Sequence, residues 1–181
     1  MLKKIMLPAL LVMGMNASAD EDVTKGLIGV EVGYIGTEYN APGTGGTETD
    51  SVGAPSIGLK LGAEGEFYRA FVDSRYWYTD QYHSAVTVGA ALQYLIRPVK
   101  VFNIFLGING GIINTLSNGS GDTASNPYYG VDAGVNFDIA DNFGIEVGAR
   151  YANVNNSDKD YIATQFYQGY VSAIFKFTGA Y

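Results

Sequence analysis

The stretch that decides the fold of this 181-residue chain is residues 143–151, Phe-Gly-Ile-Glu-Val-Gly-Ala-Arg-Tyr. Apolar side chains occupy every second position from Phe143 to Tyr151, and glycine or charge occupies the positions between them. Successive side chains of a β-strand point to opposite faces, so a period of two predicts a strand with one apolar face and one polar face.

The polar face of this strand carries a pattern, Gly-x-polar-x-Gly, that recurs along the chain. It has Glu31, Lys60, Asn109, Asp132 and Glu146 as its polar residues. Glycine inside a strand is costly and needs a reason. A closed eight-stranded barrel supplies one, because its narrow interior is filled by side chains and flanking glycines give a long charged side chain room to cross. Glycines at the bulges of a soluble sheet would not keep the same spacing from a polar residue in five strands.

Period-two alternation predicts eight strands in all. They are placed at 27–38, 55–66, 69–79, 85–96, 101–113, 127–138, 143–154 and 163–181. Short connections at 65–68, 97–100 and 139–142 alternate with longer, Gly/Thr/Ser/Asn/Asp-rich ones at 39–54, 79–84, 114–126 and 155–162, which are predicted as loops. Outer-membrane barrels have short periplasmic turns and longer outer loops. We therefore predict an all-β fold, an eight-stranded antiparallel up-and-down transmembrane β-barrel.

The N-terminal residues predict a secretory signal peptide. Lys3 and Lys4 precede a short apolar run, and Ala17-Ser18-Ala19 has the small-x-small form of a cleavage site. The run is too short for a membrane-spanning helix, which takes about 20 residues. The predicted segments are a cleaved signal peptide at 1–19, a short periplasmic segment at 20–26 and the barrel domain at 27–181.

Charge and cysteine content exclude several functions. The chain has no Cys, which excludes disulfides, thiol catalysis and thiolate metal sites. Without Lys3 and Lys4, nine basic and 18 acidic residues remain, a net charge of −9. An acidic chain has no electrostatic means of holding nucleic-acid phosphates, so no nucleic-acid partner is expected.

The polar face also predicts a network of opposed charges inside the barrel. Its predicted members are Glu31, Lys60, Glu64, Asp73, Arg75, Asp132, Glu146, Arg150 and Lys176. A charge in such a confined interior is stable only when it is paired and hydrogen-bonded. The network argues against a wide diffusion pore, and its simplest interpretation is that the charges satisfy one another.

Aromatic residues near the strand ends predict two girdles at the membrane interfaces. The loop-end girdle is assigned to Tyr39, Tyr76, Tyr78, Tyr82, Tyr128, Tyr151 and Tyr161, and the turn-end girdle to Phe67, Tyr68, Tyr94, Phe102, Phe137, Phe143 and Tyr181. The general preference of Tyr and Phe for strands makes this sign weaker than the phase of glycine and charge.

The hairpin Phe137-x-Ile139-x-x-Asn142-x-Gly144-Ile145-Glu146-x-Gly148-x-Arg150-Tyr151 resembles that of small outer-membrane barrels of the OmpA, OmpX and opacity (Opa-like porin) type. The C-terminus resembles the sorting signal of that family. The assigned signal residues are Val171, Ala173, Phe175, Phe177 and Tyr181. The resemblance implies an outer-membrane location, a lumen plugged by its charges, and four kinds of partner: membrane lipids, lipopolysaccharide, the barrel-assembly machinery and periplasmic chaperones.

One loop contains residue types used in hydrolases. His83, the only histidine, lies beside Ser84 and close to Asp80. Adjacent residues of an extended chain point to opposite faces, which separates His83 from Ser84, so we expect no catalysis. No metal or cofactor site is predicted.

The function that we expect is non-enzymatic: a structural, surface-exposed barrel whose loops contact surfaces or a host and serve adhesion. Three alternatives stay open. They are a small porin or channel, a soluble periplasmic lipid-binding barrel with its apolar face inside, and, less favoured, a lipid A-modifying enzyme. The ligand of the loops cannot be named from these residues.

Overall fold

The computed structural model describes residues 25–43, 46–79, 83–116, 123–155 and 163–178. These residues form eight strands. The strands are β1 Lys25–Gly43, β2 Gly46–Glu64, β3 Tyr68–Thr79, β4 His83–Val99, β5 Phe102–Leu116, β6 Thr123–Ala140, β7 Phe143–Val154 and β8 Ala163–Thr178. Each strand pairs antiparallel with its neighbours in the chain, and β1 pairs with β8, so the sheet closes into a barrel.

The closing seam between β1 and β8 is long and nearly regular. Its register runs from Lys25 opposite Thr178 to Tyr39 opposite Ala163, with one shift between Glu38 and Tyr39. Closure gives every strand two neighbours and removes the unpaired sheet edges that an open sheet would expose. The predicted fold class is confirmed.

The two ends of the barrel differ in part as expected. At one end the strands are joined by tight turns at 65–67, 100–101 and 141–142. The first of these is closed by the Gly65 amide, which donates to the Tyr68 carbonyl at 2.8 Å. The other four connections, 44–45, 80–82, 117–122 and 155–162, leave the opposite end, which we call the loop end, and the last two of them are longer than the turns.

The prediction of a loop at 39–54 is wrong for most of its length. β1 and β2 continue as a paired hairpin to Gly43 opposite Gly46. β2 pairs with β3 only from Ser56 onward, so residues 46–55 pair with β1 alone and extend past the barrel rim. A ladder of backbone hydrogen bonds between two strands needs no apolar core, which is why Gly- and Thr-rich composition misled the prediction.

The polarity of the barrel follows the phase of the sequence. The apolar face predicted for each strand lies outside, as Val32, Leu59 and Ile108 illustrate, all more than half exposed. The polar residues of the Gly-x-polar-x-Gly patterns are buried inside. In the parts of the chain that the structure describes, no helix is long and apolar enough to cross a membrane.

The termini lie outside the described residues. The predicted signal peptide 1–19 is among them, as are most of the segment 20–26 and the last residue, Tyr181. β1 begins at Lys25, two residues before the predicted barrel domain. Signal cleavage stays a prediction.

Candidate functional site

The structure places all nine side chains of the predicted charge network in the barrel interior. Each is at most 6% exposed. They come from β1, β2, β3, β6, β7 and β8, and the inward phase of those strands aims them at one another across the lumen. They form two groups, a central network and a smaller group at the turn end.

Glu31 is a hub of the central network. Its Oε2 lies 2.8 Å from Lys60 Nζ, and its Oε1 lies 3.2 Å from Arg75 Nε and 3.7 Å from Arg150 Nη1. Gln168 donates from Nε2 to the same Oε1 at 2.8 Å. One carboxylate therefore joins strands on opposite sides of the lumen.

Glu146 is the second hub, and it involves a residue that the sequence analysis missed. Lys60 donates to its Oε1 at 2.8 Å, and Arg69 donates to its Oε2. Lys60 thus bridges Glu31 and Glu146. Arg69 is fully buried, and its strand phase, shared with Asp73 and Arg75, was the signal that could have found it.

The network continues through an amide to the remaining carboxylates. Arg69 donates from Nε to Gln93 Oε1, and Gln93 donates from Nε2 to Asp132. The remaining carboxylate, Asp73, is paired directly: its Oδ2 lies 2.6 Å from Arg75 Nη2. An amide can donate and accept at once, so Gln93 connects a cation to an anion without a net charge of its own.

The central network is electrically balanced among the described residues. Its four anions are Glu31, Asp73, Asp132 and Glu146, and its four cations are Lys60, Arg69, Arg75 and Arg150. Balance matters because an unpaired charge in a confined interior carries a large desolvation cost. Aromatic rings add to it: Lys60 Nζ lies 4.2 Å from the Tyr170 ring centroid, and the Arg69 guanidinium carbon 4.6 Å from that of Phe105.

Glycine makes room for these side chains, as the pattern predicts. A Cβ on Gly107 would lie 2.6 Å from Gln93 Cγ and 2.8 Å from Asp132 Oδ1. A Cβ on Gly58 would lie 3.0 Å from Arg75 Cγ. Any larger residue at Gly107 would displace the link between Gln93 and Asp132.

The second group closes the turn end. Lys176 Nζ lies 2.8 Å from Glu64 Oε1 and 2.8 Å from Asp138 Oδ1, and Arg97 Nη2 lies 3.2 Å from Glu64 Oε1. Asn103 and Asn136 donate to the Asp138 carboxylate at 2.9 and 2.8 Å. Asp138 and Arg97 were not among the predicted members of the charge network.

A cavity of about 520 Å³ opens beside this group at the turn end. Its lining carries charges of both signs. Lys25, Arg97 and Lys100 are positive, and Glu66 and Asp141 are negative. The buried Glu64 and Lys176 also line it. Within the described residues, no group of three or more His, Cys, Asp or Glu could hold a metal ion.

The loop end of the interior contains a large apolar cluster that was not predicted from the sequence. A buried cluster lies there, made of Ile35, Ala54, Trp77, Ala85, Ile113, Tyr128, Ala152, Val154, Ala163 and Phe166. The signal was present in strand phase: Trp77 shares the inward face of β3 with Asp73 and Arg75. Tyr128 was assigned to the outer girdle, and that assignment is wrong, because it is only 3% exposed and packs edge-on against Phe166 with ring centroids 5.3 Å apart.

The described girdle residues other than Tyr128 lie on the outside. At the turn end, Tyr68–Tyr94, Phe102–Phe137 and Phe143–Phe175 form cross-strand ring pairs with centroids 5.2, 5.3 and 5.2 Å apart. At the loop end, Tyr76, Tyr78 and Tyr151 are exposed, and Tyr34, Tyr129 and Tyr167 join them. Tyr82, Tyr161, Tyr181 and the side chain of Tyr39 lie outside the described structure.

The remaining candidate residues lie on the exterior of the barrel or outside the residues that the structure describes. Of the assigned assembly signal, Val171, Ala173, Phe175 and Phe177 lie on the outer face of β8, and Tyr181 is not described. His83 and Ser84 are consecutive residues of β4, while Asp80 and the side chain of His83 are outside the described residues.

Comparison with known proteins gives matches in structure only. No protein-family model matches the chain, and no curated protein matches its sequence. Neisserial surface protein A (NspA) superposes with a TM-score of 0.63 at 16% identity, covering 86% of this chain and 97% of that one. The solution structure of outer membrane protein H (OprH) from P. aeruginosa gives 0.53 at 19% identity, covering 84% and 99%.

The N-terminal β-barrel domain of Pseudomonas aeruginosa OprF is a third match, with a TM-score of 0.51 at 12% identity over 82% of this chain and 97% of that one. At these identities the likeness establishes the fold. The closed eight-strand register, the apolar exterior and the charged interior agree with it. The chain has the fold of the small eight-stranded outer-membrane β-barrels, as its sequence predicted.

Proposed function

We propose that the protein is a non-enzymatic outer-membrane barrel that spans the membrane, displays its loops at the cell surface and has a lumen closed to solutes. Its work is structural, with contact to surfaces or a host made by the loops. The observation that carries this proposal is the polarity of the barrel: large apolar side chains are exposed on the outside of its strands, and paired charges are buried in its interior.

The apolar exterior supports insertion in a bilayer. Val30, Leu59, Leu106 and Val171 are each more than 40% exposed, and aromatic side chains border this surface at both ends. In water such a continuous apolar surface would promote aggregation. In lipid it is the stable arrangement, because the closed sheet satisfies its own backbone hydrogen bonds.

The interior supports the absence of an open pore. Ion pairs such as Lys60–Glu146 and Arg69–Glu146 cross the lumen, and both partners of each pair are buried. An eight-stranded barrel has only enough internal space for side chains. The expected partners are accordingly membrane lipids and lipopolysaccharide on the outside, and the barrel-assembly machinery and chaperones during biogenesis.

The alternative of a soluble lipid-binding barrel needs the opposite polarity. Such a protein would place Val32, Ile57 and Val147 inside and its charges outside, whereas these three residues are exposed and Glu31 and Lys60 are buried. Extraction of the protein from cells without detergent would support the soluble alternative. Recovery only with detergent supports the membrane proposal.

The absence of native cysteine makes the orientation directly testable. We expect Ser120→Cys, between β5 and β6, to react with a membrane-impermeant maleimide on intact cells. Asp141→Cys, in the β6–β7 turn, is its matched control and is expected to react only after the outer membrane is permeabilised. The unaltered protein gives the background. Reaction of Asp141→Cys on intact cells, with Ser120→Cys protected, would contradict the proposed orientation.

Folding of both variants is checked by their mobility in SDS gels with and without boiling. Closed barrels resist SDS until heated, so the unboiled protein is expected to migrate differently from the boiled one. A single mobility for membrane-extracted protein under both conditions would contradict the closed barrel.

A further inference from the structure

The apolar cluster at the loop end reaches across the lumen. Each of the eight strands contributes to it, from Ile35 of β1 to Phe166 of β8. Its three aromatic rings contact one another through Phe166, whose centroid lies 6.1 Å from that of Trp77 and 5.3 Å from that of Tyr128. We call this cluster the apolar layer.

The apolar layer lies between the central network and the loop end. Along β3 the inward side chains run Asp73, Arg75, Trp77, so the charges end one inward position before the layer begins. At the border between them, the charged Arg75 donates from Nη1 to the hydroxyl of the uncharged Thr87 at 3.5 Å. The two barriers are therefore stacked in series along the axis.

We propose that the apolar layer, and not the central network, is the seal that stops ions and water from crossing the barrel. The inference rests on the closed lumen of the proposed function and names the part responsible for it. It predicts that the network can be opened without producing a leak.

The chemistry of the two barriers differs. The network retains buried polar atoms without a hydrogen-bond partner, including Asp73 Oδ1, Arg69 Nη1, Asn109 Oδ1 and Arg150 Nε. Polar atoms of this kind can bind water or replace part of the hydration shell of an ion. In the apolar layer the polar side-chain atoms are the Tyr128 hydroxyl, which is also buried without a hydrogen-bond partner, and the Trp77 indole N–H. The phenyl and aliphatic groups of the other members cannot bind water, so an ion that crosses the layer must leave most of its water without compensation.

The test is single-channel conductance in planar bilayers. Arg150→Ala opens the network, because it removes a guanidinium held between Glu31 and Gln168. Trp77→Ala combined with Phe166→Ala opens the layer. Trp77→Leu is the matched control, because it keeps the layer apolar. We expect current from the Trp77/Phe166 double variant only, and none from Arg150→Ala, Trp77→Leu or the unaltered protein.

A second variant of the apolar layer tests the same inference if the Trp77/Phe166 double variant does not fold. Val154→Thr with Ile113→Thr introduces two hydroxyl groups, the first with little change of volume and the second with the loss of one further carbon, and the pair is also expected to conduct. Every variant is first required to show the heat-dependent gel mobility of a closed barrel. Current from Arg150→Ala with the layer intact, or silence from both folded layer variants, would overturn the inference while leaving the closed lumen standing. Current from the unaltered protein would overturn the closed lumen itself.

Discussion

At the scale of single residues, the interior of this barrel depends on reciprocal pairing rather than on isolated strong contacts. Lys60 binds two carboxylates, and each of those carboxylates binds further cations. Removing one member therefore leaves several charges without compensation. Breaking a buried pair by deleting one partner is strongly destabilising, whereas replacing the whole set by apolar groups need not be.

We predict that Glu146→Gln destabilises the barrel by about 3–5 kcal/mol, because it leaves Lys60 and Arg69 buried without their shared anion. Urea unfolding in lipid vesicles, followed by tryptophan fluorescence of the single Trp, measures the change. Glu66→Gln is the control: it removes the same charge from an exposed turn position. Equal stability of the two variants would show that the network contributes little.

The charges of the predicted network also show that one buried cation was missing from it. The nine predicted charges contain five acids and four bases, an imbalance that required another buried cation. Arg69 supplies it, at an inward position of β3 two residues before Phe71. Its partners Gln93 and Glu146 lie on other strands, and no spacing along the chain reveals which residues meet across a lumen.

At the scale of strands, the closing seam has two cross-strand pairs in which an aromatic ring covers a glycine. Gly26 lies opposite Phe177 near the turn end, and Gly36 lies opposite Tyr167 near the loop end. A Cβ at either glycine would overlap the facing ring. The rings thus occupy space that only glycine leaves open, and they favour one register for β1 against β8.

We predict that Gly36→Val lowers the stability of the closed barrel by about 1–3 kcal/mol, the usual cost of overpacking, because it forces the Tyr167 ring off the strand. The temperature at which the SDS-resistant band disappears measures the change. Gly169→Ala is the matched control, since nothing lies within 4 Å of the Cβ it adds. A similar shift in both variants would mean that the covered glycine has no special role in the seam.

The ends of the strands are predicted less accurately than the strands themselves. The predicted bounds of β7, 143–154, agree with the structure, because the alternation of apolar and polar residues stops where the strand ends. β1 and β2 extend well beyond their predicted ends at 38 and 55. Their outer parts are held by backbone pairing within the hairpin, which leaves no hydrophobic period to detect.

At the scale of the whole molecule, the barrel has a belt of apolar exterior bordered by aromatic side chains. Leu59 lies within this belt, paired across the ladders with Val30 on one side and Ser74 on the other. Its side chain is 60% exposed, an arrangement that is favourable only against lipid. The belt and the charged interior together define the proposed location.

We predict that Leu59→Arg destabilises the barrel in lipid vesicles by about 2–4 kcal/mol, the cost of a charge near the bilayer midplane. The urea unfolding free energy in vesicles measures it. Glu66→Arg, at the exposed turn, is the control and is expected to change the free energy little. A Leu59→Arg barrel as stable as this control would show that the belt does not face lipid.

The number of strands, their pairing order and the polar face of each strand follow from the order of residues alone. These are local properties, because a period of two can be read from neighbouring residues and short connections force antiparallel neighbours. The folded barrel is needed to see which charges meet, such as Lys60 with both Glu31 and Glu146, and that Trp77, Tyr128 and Phe166 pack together at the loop end. Those contacts join residues far apart in the chain, and their geometry is set by the diameter and register of the closed sheet.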